Sequence, residues 1–173
     1  MLEAAIFVIF PFCMVFAAIS DLVSMTIANR VSVLLVLSFA LIAPLAGVPW
    51  PEIGLHIAAG AAVLAVTFAL FAVGGMGGGD AKLIAATAVW FGFDFGLMNY
   101  LVVSALLGGL LTIALLIFRK SALSPLVGSH ALLRHIADEK AGIPYGIALG
   151  LGGLLSYEQT PLMQWALARL AGA

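Results

Sequence analysis

From Leu97 to Phe118 the chain runs without a single charged side chain, and the stretches Val31–Gly47 and Leu55–Val73 do the same. A bilayer core takes roughly 20 residues of helix to cross. Backbone in lipid must satisfy its own hydrogen bonds, which leaves helices or a closed barrel. These runs are continuous rather than alternating, so they read as helices. Only 9% of the 173 residues are charged and 64% are hydrophobic, too little polar surface for a water-soluble domain, in which about 25% are charged. The expectation is an all-α, polytopic membrane helix bundle occupying residues 1–173 as one domain, with no appended soluble domain.

About six crossings fit this length. The first run covers Leu2–Ser20, interrupted by Pro11 and followed by Asp21 and the more polar LVSMTIANR. It resembles a signal peptide superficially, but lacks a basic start and a convincing cleavage site, and is read as a retained helix. The second run is Val31–Gly47, and VPWPEIG (Val48–Gly54) is read as a turn-rich loop. Leu55–Val73 is the third and Leu83–Phe93 a shorter fourth. Leu97–Phe118 is the fifth, then comes a polar loop from Arg119 to Ala141. A sixth starts near Ile143, and the apolar tail Leu162–Ala173 either lies in the interface or extends the last helix.

Charge sets the orientation. With Met1 outside, the loops after the first, third and fifth runs face the cytoplasm. They hold Arg30, Lys82, Arg119, Lys120, Arg134 and Lys140, six of the seven basic residues. The opposite loops hold none, which is the positive-inside asymmetry. Net charge is −1, so no basic face exists for nucleic acid. The lone Cys13 lies in an apolar run and reads as a packing residue.

The stretch GGMGGGDAKL, Gly74–Leu83, stands out, with five glycines in six positions and then Asp80 and Lys82. An ionisable residue at the mouth of a membrane helix is expensive to keep and points to function when a partner can be named. An even number of crossings separates Asp80 from Asp21, so both fall at the cytoplasmic face. Two facing carboxylates can share one proton, one acting as general base on water and the other as acid. Topology alone leaves open that both are solvated interfacial aspartates. Five glycines exceed what a turn needs, and Gly77 and Gly79 would let an extended substrate backbone lie close. The spacing is not that of a phosphate loop.

The sequence Gly77-Gly78-Gly79-Asp80 followed by AKLIAA, with Asp21 upstream and then Ile27-Ala28-Asn29, resembles the type IV prepilin peptidases, membrane aspartic proteases of the GxGD class. AGIPYGIAL, Ala141–Leu149, is similar to the subgroup serving Flp, or tight-adherence, pili. The resemblance implies a cofactor-free endopeptidase of the bacterial inner membrane, with Asp21 and Asp80 catalytic. Its substrate would be a prepilin whose short basic leader ends in glycine before an apolar helix. Ala28 stands where the family has proline, which bears on the local turn. The zinc-type cysteine domain of the longer members is absent, so no N-methyltransferase activity is expected. Lys82 is placed with Gly77, Gly79 and Asn29 at the substrate-binding region, though an anchoring lysine at the headgroups is the simpler reading. Asn29 either orients the Asp21 segment or is an ordinary interfacial polar residue.

His130 and His135 are five apart, a poor spacing for a metal pair, and SHALLRHIADEK (Ser129–Lys140) reads instead as an amphipathic interfacial helix. Gly146-xxx-Gly150 and Gly108-Gly109 read as close packing inside the bundle. The rival function is a small transporter relaying ions or protons through Asp21, Asp80 and Lys82; the internal repeat that would favour it is not found. An archaellin-precursor peptidase is a second rival, against which AGIPYGIAL argues.

Overall fold

The computed structural model describes residues 1–121, 124, 134–138 and 141–172. Among them there is no strand. The helices in chain order are α1 (Leu2–Ser24), α2 (Asn29–Leu45), α3 (Trp50–Ala72), α4 (Gly78–Phe91), α5 (Phe95–Arg119), the short α6 (Arg134–Ala137), α7 (Tyr145–Ser156) and α8 (Pro161–Leu170). A 3₁₀ turn, Tyr157–Gln159, joins the last two. The chain is a polytopic helical bundle, as the apolar runs require.

By length and composition α1, α3 and α5 can each cross a membrane, and α2 is a shorter apolar helix. α4 and α7 have 14 and 12 residues, about 21 and 18 Å at 1.5 Å per residue. The short α4 is enclosed by protein. Ala81 and every residue from Leu83 to Phe91 are buried, with α3, α2 and α7 as its main neighbours.

Several boundaries differ from the sequence reading. α1 does not end before Asp21 but continues to Ser24, where Met25 adopts a left-handed conformation (φ 52°) and its N–H caps Asp21 O. Trp50–Gly54, expected as loop, forms the first turn of α3. Its Pro51 sits where a missing N–H costs nothing. Gly78, Gly79 and Asp80 are helical, which shortens the glycine loop to residues 73–77. The tail is a separate helix, started by Thr160, whose Oγ1 accepts from Met163 N. Arg169 lies over the Trp165 ring and 3.6 Å from Glu3, tying the tail to the start of α1. His130 and most of the expected interfacial helix Ser129–Lys140, including the His135 side chain, lie outside the described residues.

Glycine sets the spacing of α1 and α7. A Cβ on Gly150 would stand 2.6 Å from Met14 O and one on Gly153 2.7 Å from Met14 Sδ. Small residues are how helices approach in lipid, where burial of apolar area gives no drive. Rings hold the end of the bundle far from Asp21. Phe10 stacks on Tyr157 at 4.3 Å and packs against Trp90 at 5.2 Å, and Phe91 stacks on Tyr100 at 5.5 Å. Trp90 Nε1 donates to Leu35 O at 2.9 Å, and a His56 ring nitrogen bonds Val89 O at 2.8 Å. Outward faces carry Leu41, Leu106, Leu110 and Ile117 in the open, as a lipid-facing surface should.

Candidate active site

Asp21 lies one turn before the end of α1 and is only 6% exposed. A buried carboxylate needs donors, and one comes from across the bundle. Gly146 N donates to Asp21 Oδ2 at 2.7 Å. Gly146 is the second residue of α7, so its N–H is one of the groups a helix leaves unpaired at its start. That end of a helix also favours negative charge. Only glycine fits there, because a Cβ would stand 2.7 Å from Asp21 Cβ.

The segment leading into α7 is held by Arg119, the last residue of α5. Its Nε donates to Ile136 O at 3.0 Å, Nη1 to Ala141 O at 3.0 Å and Nη2 to Gly142 O at 2.8 Å. The planar fork of arginine suits several acceptors at once. At 8% exposure it is a buried clamp. The side chain therefore does more than mark the cytoplasmic side, the only role its charge suggested. Tyr145 OH reaches Thr112 Oγ1 at 3.2 Å, fastening the start of α7 to α5 a second time.

Asp80 is the third residue of α4. Its carboxyl folds back towards Gly77, the residue that caps the start of the helix. A Cβ on Gly77 would meet Asp80 Oδ2 at 2.7 Å. A Cβ on Gly79 would stand 3.2 Å from Ile27 Cβ, so Gly79 lets α4 settle against the α1–α2 link. That link is fixed by Ser20 Oγ donating to Thr26 O at 2.8 Å. Ala28 has φ −65°, the value proline would impose. The turn expected at a proline is kept without one.

Asp21 and Asp80 open into one cavity of about 870 Å³. They are close enough for the charge of one to act on the other. Among the described residues lining it there is no Lys, Arg or His. Lys82 and Asn29 are placed elsewhere. Lys82 Nζ donates to Asn29 Oδ1 at 3.1 Å, and both line a separate groove of about 640 Å³ between α2, α3 and α4. The structure thus brings together the two carboxylates and Gly77, with Gly79 packed behind them, and leaves Lys82 and Asn29 on another face of α4. Sequence reasoning passed over Gly146 and Arg119 as parts of the site. AGIPYGIAL carried the signal, but a backbone donor leaves no side-chain signature.

A sequence model described as the type IV leader peptidase family matches residues 8–113. The chain belongs to the type IV leader peptidase family. The matched stretch runs from α1 into α5 and includes Asp21, Asn29, the glycine loop and Asp80. Comparison with curated proteins and with solved structures finds no match. The peptidase takes the N–H on Asp21 from α7, beyond the matched stretch.

Proposed function

We propose that this leader peptidase is an aspartic endopeptidase of the bacterial inner membrane. It cuts the short basic leader from Flp-type (type IVb) prepilins at the cytoplasmic face. The observation that carries this reading is the cavity shared by two carboxylates that arrive from different helices. A third helix supplies a backbone donor to one of them.

In the proposed reaction, one carboxylate of the dyad is ionised and the other protonated. The ionised member takes a proton from water as the water oxygen bonds to the scissile carbonyl carbon. The protonated member donates to the carbonyl oxygen as that oxygen becomes a hydroxyl. The carbon–nitrogen bond then breaks as the nitrogen receives the proton held by the first carboxyl. The second carboxylate recovers its proton when the carbonyl reforms. Nothing but water is consumed. The Gly146 N–H holds Asp21 in place through Oδ2. The loop glycines, Gly77 nearest, offer a surface without side chains on which an extended substrate can lie, and Gly79 keeps that loop close to the Asp21 segment. Lys82 and Asn29 act at the neighbouring headgroup surface. No cofactor takes part and no N-methyltransferase activity is assigned.

The test is processing of a co-expressed prepilin by the wild type and by Asp21→Asn and Asp80→Asn. Asparagine keeps the shape and cannot ionise. Each variant alone should abolish leader removal while inserting at wild-type levels. Normal processing by either one would overturn the dyad.

A further inference from the structure

The cavity does not stop at the carboxylates. It continues along the bundle as a cleft with α3 and α5 as walls and Ile84 of α4 and Leu149 of α7 in its floor. The walls stand apart because α3 lies principally against α4, and α5 principally against α7. What they present is mostly apolar, with Ala62, Val66 and Leu70 from α3 and Ala105 from α5 all exposed and the hydroxyl-bearing Thr67 and Ser104 buried at the base. Ala62 to Leu70 amounts to about 12 Å of wall, two helical turns. A surface of this kind accepts another helix closely, which is where association in lipid finds its energy.

α3 also borders the second groove, through Ile57, Gly60, Ala61 and Leu64. Both grooves are apolar along their length, and they differ in the charge that lines them. The α3–α5 cleft carries Asp21 and Asp80 and no cation among its described lining residues. The other groove carries Lys82 and no carboxylate among its own. A membrane segment preceded by a basic extension is complementary to the first and mismatched to the second.

We infer that the apolar helix of the substrate docks in the α3–α5 cleft, so that its basic leader crosses the two carboxylates. The inference rests on the proposed function in taking a prepilin as substrate. The glycine loop, Gly74–Gly77, borders the same cavity as the cleft walls. Helical backbone hides its carbonyls in hydrogen bonds, so the substrate must be extended where it is cut. The loop is where that change is made. The second groove is left to lipid.

Photocrosslinking tests this in the full-length Asp80→Asn protein co-expressed with a prepilin. Benzoylphenylalanine placed at Val66 or Ala105 should capture the precursor, and at Leu37 or Leu64, in the other groove, should not. Capture from Leu37 and Leu64 alone, or from none of the four, would overturn the inference. Blocking gives a second measure. Ala62→Trp and Ala105→Trp, whose side chains enter the cleft, should slow processing about tenfold or more by displacing the substrate, whereas Leu37→Trp should leave it unchanged. Equal effects on both sides, or none from the cleft variants, would also overturn it. Wild-type processing in the same cells keeps the two readings separate. If the wild type fails to process the precursor, the proposed function fails. If it processes and the crosslinks lie elsewhere, only the docking site fails.

Discussion

At the scale of the residue, the site turns on atoms that are missing. Gly146 brings a bare N–H onto Asp21, and a methyl there would meet Asp21 Cβ at 2.7 Å. Gly146→Ala must push the start of α7 off α1 and break that hydrogen bond. Cleavage should fall about a hundredfold, the scale that an ångström of misplacement carries, with helical circular dichroism unchanged. Gly109→Ala, where nothing lies within 4 Å of the added carbon, should be indistinguishable from wild type in the same assay. The difference between these two glycines was not legible in the sequence, since both stand in small-residue motifs of apolar helices. What was legible was the carboxylate pair. The even number of crossings between them put Asp21 and Asp80 on one side of the membrane, and the structure has them lining one cavity. The three carbonyls on Arg119 could not be read, because acceptors on the backbone have no letter in a sequence.

At the scale of the element, the helices were legible and their ends were not, for reasons specific to each. α1 runs past Asp21 because its left-handed stop falls on Met25 rather than on a glycine that would announce it. α4 begins inside the glycine stretch because its first turn leans on Ile27 across Gly79 and is closed by Asp80 reaching back to Gly77. Those contacts outweigh the helix-weakening tendency of Gly78 and Gly79. The glycines of the long helices divide by what faces them. Gly150→Ala in α7 would set a carbon 2.6 Å from a main-chain oxygen, Met14 O, and cannot be relieved by turning a side chain. It should cost about 1–3 kcal/mol and lower the thermal midpoint in detergent. Gly54→Ala in α3 meets nothing within 4 Å and should raise it, by up to about 1 kcal/mol of helix propensity. A shift of the same sign in both would contradict this account of the packing.

At the scale of the whole molecule, orientation is the claim most open to a direct check. Cys13 is the only cysteine and is buried, so introduced thiols can be labelled against a silent background. A membrane-impermeant maleimide applied to spheroplasts should label Asp94→Cys, outside, and spare Lys120→Cys, inside, until the membrane is opened. Both residues are exposed. The reverse pattern would place the carboxylates on the outer face and remove the cytoplasmic leader from their reach. The bundle is also unequal along its axis. Phe10, Trp90, Phe91, Tyr100 and Tyr157 interlock at one end, and the carboxylates and the cleft lie towards the other. None of these rings lines the cavity that holds the carboxylates. On the docking inferred above, exchanges at Ala62, Val66 or Ala105 would retune the fit to a pilin helix without touching any of those rings. On that reading, the choice of partner can drift while the architecture stays still.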